Sequence, residues 1–175
     1  MNFKGYVQVY TGNNKGKTTA ALGLALRAAG RGLKTYIGQF MKGQKYGELE
    51  SAKLLSEYII IEQFGKDTFI HVKNPPNPQD VEMALLGVQK CIEAMLSKQY
   101  NLVVFDEICV ANYYNLITVK QMLNIIEQKP KDVEIIFTGR YCPKEIIEAA
   151  DLVTEMREIK HYYNNGVEAR DGIER

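Results

Sequence analysis

The sequence predicts an α/β protein: a mostly parallel sheet with helices on both faces. Apolar runs of strand length alternate with helical patterns about five times along the chain. The run Leu102 to Phe105 is apolar throughout, as a strand buried on both faces must be. A glycine-rich loop also joins the first strand directly to an Ala- and Leu-rich helix.

Tyr6 to Tyr10 (YVQVY) is β-branched and aromatic and stops at Thr11-Gly12, which reads as a first strand. Thr18 to Ala29 reads as a helix with Leu22 and Leu26 on one face, ended by Gly30 and Gly32. Thr35 to Phe40 is a second strand, Glu48 to Glu57 a helix and Ile59 to Gln63 a third strand. The stretch 64–80 holds Pro75, Pro76 and Pro78 and cannot carry a continuous helix, so helix is expected again from Val81 to Ser97. Leu102 to Phe105 follows as a strand, Thr118 to Glu127 as a helix and Glu134 to Phe137 as a strand. Pro143 to Ala150 reads as a short helix, Leu152 to Met156 as a last strand, and a polar tail begins at His161.

Composition narrows the class. The chain has 175 residues, 46% hydrophobic and 25% charged, the balance of a single globular domain spanning 1–175 rather than of a disordered or disulfide-stapled chain. Lys and Arg number 22 against 21 acids, so the net charge of +1 argues against nucleic acid or an anionic membrane as partner. Cys91, Cys109 and Cys142 are widely spaced and odd in number, and read as reduced thiols of a cytoplasmic protein. No apolar run approaches the roughly 20 residues that span a bilayer. The N-terminal residues run straight into the first strand, leaving no room for a signal peptide.

The chemistry starts at Thr11 to Thr19, TGNNKGKTT. A bound phosphate needs inward-pointing backbone N–H groups, a helix N-terminus behind it and a cation that reaches its oxygens. Gly12, Asn13, Asn14, Lys15 and Gly16 form the curled backbone, Lys17 supplies the charge, and the Thr18 hydroxyl, with Thr19 behind it, is placed for a metal ion. The usual spacing G-x-x-x-x-G-K-[ST] would put the first glycine at position 11, where this chain has Thr11, and Gly12 falls one residue late. The context of strand, loop and helix nonetheless predicts a P-loop NTPase-like fold and phosphate binding.

In such sheets ligands sit at the carboxyl ends of the strands. Asp106 and Glu107 end the apolar run LVVF there, and Mg²⁺ takes one or two carboxylates together with phosphates and water. Solvated strand-end acids are the competing reading, and the phosphate loop favours the metal. Arg140, in FTGR, could fork onto a triphosphate oxygen or be a surface arginine after a turn glycine. His71 and His161 are the only histidines, which excludes a multi-histidine metal site. Tyr113-Tyr114 and Tyr162-Tyr163 read as packing or surface residues, and Lys160-His161 as a solvated end.

Taken together, these segments resemble the P-loop type of ATP:corrinoid adenosyltransferase. The resemblance runs through VYTGNNKGKTTAALGLALRAAGRG (Val9 to Gly32), IGQFMKG (Ile37 to Gly43), YNLVVFDEI (Tyr100 to Ile108), FTGR, EAADLVTEM (Glu148 to Met156) and KHYYNNGVEARDGIE (Lys160 to Glu174). Each block is short or common alone, and their order makes the resemblance specific. That family's loop usually reads GNGKGKTT; Asn14 replaces the middle glycine here, and Asn tolerates positive φ better than most residues.

The resemblance implies a homodimer that moves the 5′-deoxyadenosyl group of ATP onto the cobalt of a reduced corrinoid, in cobalamin biosynthesis or salvage, with triphosphate as leaving group. ATP would lie reversed in the loop, which grips the far end of the triphosphate. Lys17 would neutralise phosphate charge, Thr18 would bind Mg²⁺ (with Mn²⁺ as the alternative ion), and Asn13 would lie near the ribose. Glu107, with Asp106 beside it, would complete the metal site. The nucleophile is cobalt(I), so no protein nucleophile is required; alignment and charge stabilisation are. An electron donor such as a reduced flavoprotein would supply the cobalt's electrons. The loop around Phe69 and His71 would face the corrinoid, where better-studied members carry a tryptophan, and those members also carry an N-terminal extension that this chain largely lacks. Two other readings share the same loop: a phosphoryl-transfer kinase or ATPase, and a non-catalytic carrier or sensor of adenosylated corrinoid.

Overall fold

The computed structural model describes residues 3–67 and 75–175. Six strands form one sheet: β1 (Val7–Thr11), β2 (Thr35–Phe40), β3 (Ile59–Phe64), β4 (Leu102–Asp106), β5 (Glu134–Thr138) and β6 (Leu152–Glu155). Their order is β3-β2-β4-β5-β1-β6 and every pairing is parallel, with Val9 opposite Phe137 and Val104 opposite both Ile37 and Ile136. A parallel sheet needs a crossover after each strand. These are supplied by α1 (Lys17–Ala29), α2 (Gly47–Leu54), α3 (Pro78–Leu96), α4 (Ile108–Tyr113) with α5 (Val119–Gln128), and α6 (Lys144–Ala149).

Side chains alternate across a strand, so each central strand feeds two cores. Val103, Phe105, Ile135 and Phe137 pack with Cys91, Met95, Ile108 and Met122. Leu102, Val104 and Ile136 face the other way, against Ala21, Ala25 and Ala28 of α1. That alanine face lets α1 lie close to the sheet. Leu22 and Leu26 do share a face, but only Leu22 is half-buried and packed against this core, and Leu26 is 58% exposed.

Two local differences from the sequence expectation have clear causes. Helix α3 begins at Pro78 rather than Val81, because proline is tolerated in the first turn of a helix, where its missing N–H is not needed. The Asn77 side chain caps it, accepting from the Gln79 amide at 3.0 Å. Helix α4 was not expected; it starts directly after the two acids, and Glu107 adopts φ 65° to turn the chain from strand into helix. Further along, α5 carries a capping box between Thr118 and Gln121. Among the described residues, no helix is long and apolar enough to cross a membrane.

Candidate active site

The loop between β1 and α1 turns through the left-handed region at Gly12 (φ 103°) and Gly16 (φ 114°). Asn14 is at neither position, so nothing there demands glycine. The requirement at Gly12 is also steric: a Cβ would lie 2.3 Å from the Met156 carbonyl oxygen. The segment after β6 grips the loop from this side. The Met156 N–H donates to the Thr11 carbonyl at 2.8 Å, and the Asn14 N–H donates to the Met156 carbonyl at 3.0 Å. The glycine therefore stands where this contact falls, one residue later than the usual spacing.

Lys17 opens α1 and is buried, its ammonium donating to the carbonyls of Gly12 at 2.9 Å and Asn14 at 2.6 Å. Burial lowers its pKa, and the nearby Glu107 carboxylate opposes that shift.

Strands β1 and β4 are not neighbours, since β5 lies between them. The loop and the acids meet all the same. The Asp106 carboxylate is buried, and its Oδ1 accepts from Thr18 Oγ1 at 2.8 Å and from Thr138 Oγ1, at the end of β5, at 2.7 Å. Its Oδ2 accepts from Gln39 Nε2 at 3.2 Å and Lys42 Nζ at 2.8 Å. Thr138 Oγ1 in turn accepts from the Glu107 N–H at 2.8 Å, which fixes the left-handed turn there. The two acids thus divide: Asp106 is the hidden organiser, and Glu107 presents its side chain to a cavity of about 810 Å³. Burial raises the Glu107 pKa most, Asp106 adds to it, and Lys42, Lys17 and Arg140 oppose.

Lys17, Thr18, Glu107 and Arg140 line one part of this cavity, and Leu22, Leu26, Leu55 and Ile61 another. Arg140 reaches it from the turn after β5, where Gly139 (φ 137°) lets the chain pass within contact of Cys109. One cavity therefore joins polar, charged walls and apolar walls at the carboxyl edge of the sheet.

A family model described as ATP:corrinoid adenosyltransferase BtuR/CobO/CobP matches residues 3–175. The chain belongs to that family. Curated relatives agree. A corrinoid adenosyltransferase of Sinorhizobium sp is 34% identical over 98% of this chain and 80% of its own length. The corrinoid adenosyltransferase of Escherichia coli K12 is 34% identical over 98% of this chain and 86% of its own. Corrinoid adenosyltransferase CobA of Salmonella typhimurium is 33% identical with the same coverages. The flagellar accessory protein FlaH from Methanocaldococcus jannaschii matches in fold, with TM-score 0.60 at 14% identity over 87% of this chain and 71% of its own. The chain is an ATP:corrinoid adenosyltransferase on a P-loop NTPase-like fold, with ATP and a corrinoid as substrates.

Several residues around this cavity and its acids carry no mark in the sequence. Gln39 and Lys42 stand at the end of β2, and Lys42 also lies 3.9 Å from Glu48. The IGQFMKG block was visible, but nothing in it marks which side chain reaches Asp106. The C-terminal segment, whose Lys160 is exposed as expected of a solvated end, also reaches back to the loop. Lys15 Nζ donates to Tyr162 Oη at 2.7 Å and to Glu174 at 2.5 Å, and Arg170 also pairs with Glu174. His161, Ile173 and Glu174 line the cavity. The Asn13 side chain accepts from the Glu158 N–H at 3.0 Å, so it anchors the start of this segment to the loop. Thr19 lines the cavity beside Thr18. Phe69 and His71 lie outside the described residues.

Proposed function

We propose that the chain, as one domain over 1–175, transfers the 5′-deoxyadenosyl group of ATP to the cobalt of a reduced corrinoid. The cobalt(I) electron pair becomes the new bond to C5′, the C5′–O bond breaks, and triphosphate leaves with the two electrons of that broken bond. The observation that carries this reading is the gathering of Lys17, Thr18, Glu107 and Arg140 around one cavity. The protein's work is then to align cobalt with C5′ and to stabilise charge growing on the triphosphate. Lys17 and the loop amides bind the chain of phosphates, and Arg140 holds a further phosphate oxygen. Leu22, Leu26, Leu55 and Ile61 give the cavity an apolar wall on one side.

The donor set fits a hard divalent ion. Thr18 Oγ1 and Asp106 Oδ1 are 2.8 Å apart, Glu107 stands beside them, and all are oxygen donors, as Mg²⁺ requires with substrate phosphates. Thr18, Asp106 and Glu107 would hold it, and when bound Mg²⁺ (or Mn²⁺) supplies neutralisation of the leaving triphosphate. By the family resemblance Asn13 would serve the ribose and Phe69 and His71 the corrinoid. The working form is a cytoplasmic homodimer, fed electrons by a donor such as a reduced flavoprotein, in cobalamin biosynthesis or salvage.

The test is anaerobic. Purified protein is mixed with ATP, Mg²⁺ and chemically reduced cob(I)alamin, and the corrinoid spectrum and phosphate products are followed together. Adenosylcobalamin with stoichiometric triphosphate is expected. ADP with an unchanged corrinoid would instead mean a kinase or ATPase, and tight binding without turnover a carrier.

A further inference from the structure

The cation held against Asp106 does not come from the phosphate loop. It is Lys42, just past β2, whose Nζ lies 2.8 Å from Asp106 Oδ2 and 3.9 Å from Glu48 Oε1. Gln39 Nε2 bridges the same two carboxylates, 3.0 Å from Glu48 Oε1 and 3.2 Å from Asp106 Oδ2. The Tyr46 ring lies 5.3 Å from the ammonium, a cation–π contact. Lys42, Glu48 and Glu107 all line the cavity.

The chain beneath Lys42 is tightly placed. Met41 takes φ 60°, and a Cβ at Gly43 would stand 2.4 Å from the Lys66 carbonyl carbon. The lysine therefore projects from a constrained turn into a cluster of carboxylates. Beside a threonine hydroxyl and two acids, that is also where a divalent ion would find its protein ligands.

We infer that Lys42 is the resident counter-cation of the metal position. Held against Asp106, it weakens the hold on a bare divalent ion. It yields Asp106 and moves to the triphosphate when metal and nucleotide enter together, since only the nucleotide brings the negative charge that replaces the carboxylate. This inference rests on the assignment of Thr18, Asp106 and Glu107 as metal ligands. It predicts that metal affinity depends on nucleotide through a residue outside the phosphate loop.

The test uses Mn²⁺ alone, without ATP or corrinoid, and reads bound Mn²⁺ from loss of the free-ion EPR signal. Lys42→Gln keeps a donor for Asp106 and removes the charge; it should bind Mn²⁺ about tenfold more tightly than wild type, because a repelling unit charge a few ångströms away is gone. Lys42→Arg, which keeps the charge, should stay at the wild-type value. Lys42→Met gives the same readout should Lys42→Gln fail to fold. Equal or weaker Mn²⁺ binding by the uncharged variants overturns the inference. Glu107→Gln added to Lys42→Gln should cancel the gain; a gain that survives puts the ion elsewhere and overturns both the ligand assignment and the role of Lys42. No gain, while the unaltered protein converts cob(I)alamin with release of triphosphate, overturns the role of Lys42 alone.

Discussion

Gly12 and Met156 touch through their main chains: the Met156 carbonyl oxygen occupies the space within 2.3 Å of where a Cβ on Gly12 would be. The phosphate loop is thereby shaped from outside, by the chain leaving β6, as well as by its own glycines.

Gly12→Ala should therefore destabilise the protein by about 2 kcal/mol or more, since it adds a clash to a backbone at φ 103° that L side chains rarely adopt. Gly23, inside α1, has nothing within 4 Å of its Cβ position, so Gly23→Ala should stabilise by about 0.5–1 kcal/mol. Urea unfolding of both variants checks the pair. Equal effects would mean that the contact with Met156 does not shape the loop.

Lys17→Ala removes the ammonium held by the Gly12 and Asn14 carbonyls. The expected loss in kcat is about a hundredfold or more, the scale of removing one donor to charge developing in a transition state. Steady-state kinetics with a thermal melt check it; near-normal turnover by the folded variant would remove Lys17 from triphosphate stabilisation.

Glu107→Gln tests the raised carboxyl pKa. Burial holds the folded value above the ordinary 4.5, so between those two pKa values the folded chain binds more protons than the unfolded one. Stability then falls as pH rises through that window. Without ligands at pH 7 the glutamine variant should be the more stable of the two. Its advantage should shrink as pH falls back through the window toward the unfolded value. A difference that does not change with pH would contradict the burial argument.

Glu174→Ala releases Lys15 and Arg170 together. Because Glu174 lines the cavity, the KM for ATP should rise severalfold while kcat changes little, and limited proteolysis should cut faster within 160–175. An unchanged KM would confine the segment to a structural role.

What could be read in advance was what lies local in the chain. The strand, loop and helix around Lys17 and the apolar run into Asp106 each declare themselves by composition and spacing. The contacts of the site are between distant segments and leave no such mark. Lys15 meets Glu174 and Lys42 meets Asp106, and no short-range period links them. Pro78 misled because proline breaks a helix interior but suits its first turn. Helix α4 stayed hidden because a non-glycine residue, Glu107, makes the left-handed turn that a glycine would have announced.

The Asp106 carboxylate collects donors from Thr18, Gln39, Lys42 and Thr138. On a ribosome making the chain from its N-terminus, the phosphate loop emerges early, but the last of those donors follows most of the sequence behind it. Until Thr138 arrives and β5 slots between β1 and β4, a nascent chain has the residues for gripping a phosphate and lacks the anchor that orders them. The order of the site thus depends on a strand that is made late.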